Sequence, residues 1–462
     1  MLPAALALAA CGGAPTPSPA PPSAPEPAWL AAVREAQHRA ETGALTYEHV
    51  EGLTDAAGPR LAGSPGDPLA VAWGIARMQE IGLANVHAEP VSVHVWERGE
   101  ERVDVISPVP QRLAAAALGG SVGTPEGGIE ADVVRVESLD ALRTLPEEQA
   151  RGHIVFVDQR MERTRDGSGY GTGVRVRIAG ASVAAGRGAL AVVIRSVGTD
   201  ATRFAHTGVM HYDEAQPRIP VASISNADAD VIGRVITRGQ TVRLRMELGC
   251  HEAPDAQSAN VVGEVVGSER PGEVVLLGAH LDSWDLGRGA VDDGAGVGIV
   301  LEAARQIATG PTPPRRTVRV VLFANEENGG AGAHAYADAH ASELASHVLA
   351  MEADFGDGRA WALRTPGRDE AWARIAALLE PMGVAWDTEE EPHGGADIGP
   401  MHEQGGVPPA DIEQDGTRYF DLHHTANDVM TEVDRASLDH AMRAVMTVAY
   451  AATLDVEGIR RD

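Results

Sequence analysis

The sequence predicts an α/β protein with a mostly parallel sheet, helices on both faces of that sheet, and a second, β-rich domain inserted in the chain. Two observations predict this fold. Strands and helices alternate regularly after residue 260, which is typical of a parallel sheet covered by helices. Between residues 106 and 255, short β-type runs alternate instead with glycine-rich loops. This change in composition indicates a separate inserted domain.

Three apolar runs predict the parallel sheet. Residues 274–279 form a continuous apolar segment, as expected for a strand buried on both faces. Further strands are predicted over residues 318–324 and 348–351. A helix is predicted between the first two strands, because apolar side chains recur three and four residues apart from residue 297 to residue 308. An alanine-rich helix at about residues 331–346 separates the second strand from the third.

The chain is predicted to comprise four segments. Residues 1–28 form a signal segment and a proline-rich tether, residues 29–105 begin the main domain, residues 106–255 form the insert, and residues 256–462 complete the main domain and carry its site. Hydrophobic residues make up 44% of the 462 residues, so a chain of this length is able to bury a full core.

The first residues resemble an export signal. Residues 1–10 are almost wholly apolar, and Leu8-Ala9-Ala10-Cys11 resembles a bacterial lipobox, in which the cysteine receives a lipid after cleavage. The prolines between Pro15 and Pro27 then favour an extended tether. The first basic residue is Arg34, so the positive segment that normally precedes the apolar core is missing. We expect an exported lipoprotein of the bacterial periplasm or outer membrane, which contacts the membrane only through a lipid on Cys11.

Charge and cysteine content exclude several classes of protein. With 38 basic and 66 acidic residues the formal net charge is −28, so nucleic acids and anionic membranes are excluded as partners. Cys250 has no partner if Cys11 is lipidated, which excludes a disulfide framework. We expect Cys250 to be a small buried side chain. The scattered histidines of the insert are expected to be structural: His153, His206 and His211.

Acidic residues and histidines follow each predicted strand of the main domain. In parallel sheets, ligands bind beyond the carboxyl ends of the strands, and these residues lie there in the sequence. Each motif alone has a plain structural explanation; an Asp-Asp-Gly segment, for example, often caps a helix. Their joint occurrence at successive strand ends favours a functional site. The residues concerned are His280, Asp282, Asp292, Glu326, Glu327, Asp354 and His424.

This set of side chains predicts a metal centre. Carboxylates that gather in one place repel one another unless cations neutralise them. Two histidines with several carboxylates suit Zn²⁺. The set is too large for one tetrahedral zinc ion, whereas two ions that share one carboxylate would use all of the ligands. We therefore expect two Zn²⁺ per chain.

The same motifs resemble those of the two-zinc aminopeptidase-type metallopeptidases, in particular their carboxypeptidase Q branch. The resemblance covers about residues 29–455 and includes a protease-associated insert, which residues 206–220 resemble. It implies the fold of the zinc exopeptidases. The motifs that carry it are His280-Leu281-Asp282-Ser283-Trp284-Asp285, Asp292-Asp293-Gly294, Asn325-Glu326-Glu327, Glu352-Ala353-Asp354 and His423-His424-Thr425.

The resemblance also implies a role for each site residue. Asp292 would bridge both metals, His280 and Asp354 would complete one site, and Glu327 and His424 would complete the other. His424 is preferred over its neighbour because His-Thr-x-x-Asp is the spacing of the family.

Two further residues act on the ligands or the reaction in this comparison. Glu326 would be the general base, and Asp282 would orient His280. The resemblance further suggests a cis peptide bond between Asp292 and Asp293. Val429 departs from the family pattern, because relatives often have threonine at that position.

These expectations describe an exported zinc exopeptidase that hydrolyses dipeptides or other short peptides. An aminopeptidase on the same metal centre is the alternative within enzymes. A catalytically inactive peptide-binding protein is the alternative of another class, although such proteins have usually lost ligands. An acyltransferase that cyclises N-terminal glutamine shares the fold, but the complete ligand set and the insert argue against it. The sequence leaves the side-chain preference and the native metal open, and a homodimer is compatible with it.

Overall fold

The computed structural model describes residues 27–455 and 457–459. Residues 1–26 of the predicted signal segment and tether, with Cys11, lie outside the described residues, whereas Ala28 already belongs to the first helix. Among the helices of the described ranges, none has the length and apolar character needed to cross a membrane.

Thirteen α-helices occur in the described part of the chain. They are α1 (Ala28–Gly43), α2 (Thr46–Ala57), α3 (Asp67–Glu80), α4 (Leu139–Thr144), α5 (Glu147–Ala150), α6 (Ser168–Ala185), α7 (Asn226–Thr237), α8 (Gly294–Ala308), α9 (Ala331–Ala339), α10 (Glu370–Leu379), α11 (Gly399–Gly405), α12 (Tyr419–Leu422) and α13 (Arg435–Leu454). Short 3₁₀ helices span Leu344–Ser346, Glu380–Met382 and Met430–Glu432.

The strands form three sheets. They are β1 (Ala84–Glu97), β2 (Glu101–Ser107), β3 (Gln111–Arg112), β4 (Ala115–Ala117), β5 (Ile129–Val136), β6 (Ile154–Val157), β7 (Ala191–Arg195), β8 (Val221–Ile224), β9 (Arg243–Leu248), β10 (His251–Val265), β11 (Arg270–His280), β12 (Arg316–Phe323), β13 (His347–Glu352), β14 (Ala360–Arg364), β15 (Ala385–Asp387) and β16 (Asp411–Gln414).

The central sheet has the strand order β1-β10-β12-β11-β13. β11 pairs in parallel with both β12 and β13, as the apolar runs predict. β1 and β10 extend the sheet in antiparallel fashion. The predicted α/β class is confirmed, but the sheet is mixed. The two antiparallel strands lack the strand–helix alternation by which the parallel strands are recognisable.

Strand β11 is buried on both faces, and its side chains alternate between two apolar clusters. Val275 and Leu277 pack with residues of α1, α2, α8 and α13. Val274 and Leu276 pack on the opposite face with residues of α9 and α11. Successive strand residues point to opposite faces, so a strand covered by helices on both sides must be apolar throughout.

Helix α8 begins directly behind the carboxyl end of β11. The side chain of Asp293 caps it, because its Oδ1 accepts a hydrogen bond of 3.0 Å from the amide of Gly296. Helix α9 is shorter than expected: it ends at Ala339, and the residues up to Ser346 form a turn and a 3₁₀ helix. At that turn the His340 ring lies 2.9 Å from Glu89 of β1.

A second unit lies between β1 and β10. Its eight-stranded sheet has the order β3-β2-β9-β5-β6-β7-β8-β4. The pairing is parallel from β5 to β8 and antiparallel on either side of these strands. Helices α6 and α7 belong to this unit. The expectation of a β-rich insert omits these helices, because the glycines of α6 are unfavourable in a helix and are typical of loops. The small sheet β15-β14-β16 packs against α10 and α13.

Replacement of Leu277 by alanine tests the core of the central sheet. The Leu277 side chain is fully buried, so the cavity left behind should lower the free energy of unfolding by about 2–5 kcal/mol. Leu69→Ala is the matched control, because the Leu69 side chain is 52% exposed and should cost less than about 1 kcal/mol. Chemical denaturation of both variants measures the difference. Equal destabilisation would contradict the assigned core.

Candidate metal centre

The polar residues singled out in the sequence lie at the carboxyl ends of the three parallel strands. His280 is the last residue of β11, and Asp292 lies just before α8. Glu327 follows β12, Asp354 follows β13, and His424 follows α12. The connection between α12 and α13 therefore supplies the histidine that is most distant in sequence.

Asp292 lies between two groups of ligand-type atoms. Its Oδ1 is 3.2 Å from Nε2 of His280, and its Oδ2 is 3.4 Å from Nε2 of His424. Oδ1 of Asp354 is 3.5 Å from the same nitrogen of His280, and Oε2 of Glu327 is 3.0 Å from that of His424. Each oxygen of Asp292 thus faces a different histidine.

These side chains fit divalent cations. Oδ2 of Asp292 and Oδ1 of Asp354 are buried and have no hydrogen-bond partner. A buried carboxylate oxygen without a partner is costly unless a cation is bound. The ligand atoms of His280, Asp292 and Asp354 all lie within 4.8 Å of one another. Coordination of a cation would satisfy the unpartnered oxygens and offset the repulsion between the carboxylates.

The second nitrogen of each histidine has an acceptor that orients its ring. Nδ1 of His280 is 3.1 Å from the carbonyl oxygen of Asp282 and 3.7 Å from its Oδ1. Nδ1 of His424 is 3.3 Å from the carbonyl oxygen of Thr207. Such contacts place the proton on Nδ1 and leave Nε2 as the free ligand atom.

The backbone around Asp292 is held by a second aspartate. The expected cis peptide bond between Asp292 and Asp293 is present. Asp428 accepts hydrogen bonds from the amides of Val291 and Asp292, at 2.6 Å and 3.1 Å. Asp293 accepts a hydrogen bond of 3.1 Å from the amide of His280. Asp293 therefore connects the loop before α8 to the end of β11, and Asp428 connects the same loop to the segment after α12.

A buried arginine fixes the loop that follows β11. Arg60 donates hydrogen bonds to the carbonyl oxygens of Leu281, Arg288 and Gly289, at 2.5 Å, 2.7 Å and 2.9 Å. Its guanidinium group is fully buried near several carboxylates of the site. Nothing in the sequence motifs pointed to Arg60.

Asp282 also contacts the residue expected to be the base. Its Oδ1 accepts a hydrogen bond of 3.0 Å from the amide of Glu326. Burial raises the pKa of the Glu326 carboxyl to about 8; the charge of His280 opposes this effect and that of Asp354 adds to it. A bound cation would lower this pKa again.

The adjacent histidines differ in their distance to the carboxylates. Their rings stack with centroids 3.5 Å apart. Nε2 of His423 is 3.8 Å from Asp292, farther than that of His424, and only His424 has a close contact with Glu327. His424 adopts a left-handed backbone conformation with a φ angle of 62°.

A cavity of about 260 Å³ opens onto these residues. The second unit contributes part of its wall, but no sequence motif identified the individual residues of α6 that do so. The histidines of that unit are not in the wall: His206, for example, lies 2.9 Å from Asp200. The cavity is lined by Tyr170, Arg177, Val209, Asp292, Glu326, Glu327, Asp354, Phe355, Tyr419, Phe420, His423 and His424.

One loop connects the centre to the core of the second unit. The amide of Trp284 donates a hydrogen bond of 3.2 Å to Oε1 of Glu327. The Trp284 ring belongs to the apolar cluster of the second unit and packs edge-on against Trp96. Cys250 is buried in the same cluster, as expected from the sequence.

A buried set of carboxylates and imidazoles at the strand ends of an α/β sheet, beside a cavity, defines a metal-dependent hydrolase. Comparison with known proteins gives the family. The sequence model of Peptidase family M28 matches residues 260–449 of this chain. Carboxypeptidase Q of Mus musculus is 39% identical over 409 residues, which are 88% of this chain and 85% of that protein. The chain belongs to peptidase family M28 and is a metallopeptidase.

Other relatives agree with this assignment. Carboxypeptidase Q of Homo sapiens is 38% identical over 425 residues, which are 91% of this chain and 86% of that protein. The crystal structure of a peptidase M28 precursor from Shewanella amazonensis SB2B is 42% identical, has a TM-score of 0.91, and covers 94% of this chain and 98% of its own. A zinc aminopeptidase from Bacillus subtilis has a TM-score of 0.64 at 20% identity, with 90% and 98% covered, and shares the fold.

Removal of metal tests the fit of the site. Treatment with 1,10-phenanthroline should abolish peptide hydrolysis and lower Tm, because the buried carboxylates lose their counter-charges; an ion at 100 times its Kd stabilises by about 2.7 kcal/mol. Added Zn²⁺ should restore both properties. The isomer 1,7-phenanthroline, which does not chelate, is the control. Unchanged hydrolysis and Tm after exhaustive chelation would contradict the metal centre.

Proposed function

We propose that the protein is a zinc exopeptidase that hydrolyses dipeptides or other short peptides at a centre of two zinc ions. The observation that carries this proposal is the position of Asp292, whose two oxygens face different histidines at 3.2 Å and 3.4 Å. A carboxylate placed in this way suits a bridge between two cations. His280 and Asp354 would hold one ion, and Glu327 and His424 the other.

The residues around the centre suit a hydrolytic role. When bound, the zinc ions polarise the scissile carbonyl and make water more acidic. Glu326 lines the cavity beside the proposed ligands and would take the proton from the attacking water and deliver it to the leaving amine. Asp282 would hold both His280 and the backbone of Glu326 in place. A pKa near neutrality suits a group that must gain and then lose a proton.

The size of the cavity and the relatives favour short substrates. A cavity of about 260 Å³ lies just below the ~300–1,000 Å³ that is usual for small-molecule sites. The relatives with 38–39% identity are named carboxypeptidases. A site that binds long or folded polypeptide substrates would need a longer groove.

An aminopeptidase is the second candidate, because a second pocket of about 230 Å³ adjoins Asp354 and is rich in carboxylates, including Glu352, Asp411 and Glu413. Such a pocket would accept a free amino group. Rates on peptides with the N-terminus or the C-terminus blocked separate the two modes: a carboxypeptidase loses substrates that lack a free carboxylate, and an aminopeptidase loses those that lack a free amine.

We also propose that the second unit, predicted over residues 106–255 and formed in the structure by the chain between β1 and β10, is an insert of the protease-associated type that covers the centre. Tyr170 and Arg177, in helix α6, support this role because they line the cavity.

The lipobox at Cys11 supports export to the periplasm or outer membrane as a lipoprotein. Cys11→Ser should release the protein from the membrane fraction, which fractionation and blotting would measure. A homodimer stays a prediction.

Glu326→Gln tests the general base. The substitution keeps the shape and a hydrogen-bonding group but removes the base, so kcat should fall by about 10²–10⁴-fold. Zinc content and Tm should stay close to those of the unchanged protein. Steady-state kinetics with elemental analysis measure both. Near-normal turnover would show that another group takes the proton.

Glu327→Gln is the matched comparison, since it alters the adjacent residue in the same way. We expect this variant to lose bound zinc and to regain part of its activity in excess metal, because Glu327 is a proposed ligand. Equal loss of zinc in both variants would contradict the assigned roles.

A further inference from the structure

Arg177 brings a positive charge from the second unit to the wall of the catalytic cavity. It lies on helix α6 and is only 5% exposed. Its Nε donates a hydrogen bond of 3.2 Å to the carbonyl oxygen of Val209, and one terminal nitrogen is 3.3 Å from Nδ1 of His424. The guanidinium group is therefore next to the Glu327 and His424 side of the centre.

The charge of Arg177 has no carboxylate partner. Among residues 27–455 and 457–459, no carboxylate lies within ion-pair distance of its guanidinium, which instead lies 5.4 Å from the centroid of the Tyr170 ring. If Nε2 of His424 binds a metal, its Nδ1 carries a proton and donates to Thr207. Nδ1 then accepts nothing from Arg177. Apart from its contacts with Val209 and Tyr170, the guanidinium group faces the cavity, which indicates that its remaining donors serve a ligand.

The surroundings of Arg177 hold the guanidinium in one place. Gly208 has a φ angle of +126°, and a Cβ atom there would lie 2.3 Å from a terminal nitrogen of Arg177. Only glycine allows this close approach. Tyr170, beneath the guanidinium, stacks on Phe420 with ring centroids 4.8 Å apart. The cation is thus built into the wall and does not fold back to another acceptor.

Opposite charges lie on the two sides of the centre. Arg177 is on the side of Glu327 and His424. The pocket beside Asp354 is lined by five carboxylates and by Arg364, which is paired with Glu413 at 2.9 Å, so carboxylates remain in excess there. A short peptide carries the same asymmetry, with a carboxylate at one end and an ammonium group at the other. Its charges match the cavity in one orientation, with the carboxylate towards Arg177.

We propose that Arg177 binds the free α-carboxylate of the substrate's C-terminal residue and thereby selects short peptides with an unblocked C-terminus. This inference rests on the proposed function, and it identifies the residue that determines which end of the peptide is recognised. A planar guanidinium donates two parallel hydrogen bonds to a carboxylate, which lysine does not reproduce. The second unit supplies this residue, so the insert takes part in substrate recognition as well as in covering the centre.

Kinetics with matched dipeptides test this inference. The unchanged protein should hydrolyse a dipeptide acid about 10–100-fold better in kcat/KM than the corresponding C-terminal amide, the range expected for a charge-assisted hydrogen bond. Arg177→Gln should remove that preference through a higher KM for the acid, with the rate on the amide within about 3-fold. Arg177→Lys should restore part of it. Zinc content should not change.

Arg175→Gln is the control variant, because Arg175 lies on the same helix but is exposed. It should keep the preference for the acid. A dipeptide amide with a C-terminal glutamate is the last substrate to be compared. If it is hydrolysed as well as the free acid, Arg177 binds a side-chain carboxylate, and the proposal is overturned.

Two results would contradict the inference while leaving the peptidase intact. The unchanged protein could hydrolyse acid and amide equally well, an outcome that needs no variant to fold. Alternatively, Arg177→Gln could lower the rates on both substrates by the same factor, which is the signature of a group that only positions His424.

Binding separates failure of the inference from failure of the proposed function. Calorimetry with the Glu326→Gln protein should show tighter binding of the dipeptide acid than of the amide, and addition of Arg177→Gln should weaken binding of the acid about 10-fold or more. Peptide hydrolysis that is absent in every form would reject the proposed function. Equal binding of the acid with and without Arg177 would reject the inference.

Discussion

The repulsion between buried carboxylates is the constraint on which the structure of the site depends. The ligand-type atoms of Asp292 and Asp354 lie within 4.8 Å of each other, and Asp292 and Glu327 are both buried. Packing does not offset electrostatic repulsion of this kind, so the buried carboxylates require cations or protons close by. The histidines lie directly beside the carboxylates, and the buried guanidinium of Arg60 adds a positive charge near them.

The scaffold meets the constraint by placing rigid elements around a charged centre. Parallel strands bring their carboxyl ends to one edge of the sheet, and the loops after β11, β12 and β13 each add one or two polar groups. Arg60 binds three carbonyl oxygens of the first of these loops. Asp428 holds the segment that carries Asp292. Trp284 then connects Glu327 to the core of the second unit, so the two units meet at the centre itself.

The sequence predicted the parts of this arrangement that have a local pattern. The apolar run at residues 274–279 and the helical spacing after Asp292 identify β11 and α8, and the polar residues behind the strands identify the edge where the site lies. The antiparallel strands β1 and β10 were not predicted, because their partners are distant in sequence. The role of Arg177 was not predicted for a related reason. A single arginine in a glycine-rich helix forms no recognisable motif, and only the fold brings it next to His424. The family resemblance, rather than spacing alone, separated the roles of Glu326 and Glu327.

The most direct test of the central claim is a crystal structure of the zinc-loaded protein with anomalous data collected at the zinc edge. Two anomalous peaks are expected about 3.5–4 Å apart, one bound by Nε2 of His280 and the other by Nε2 of His424, with one oxygen of Asp292 on each. A single peak, or two peaks that do not share Asp292, would contradict that claim.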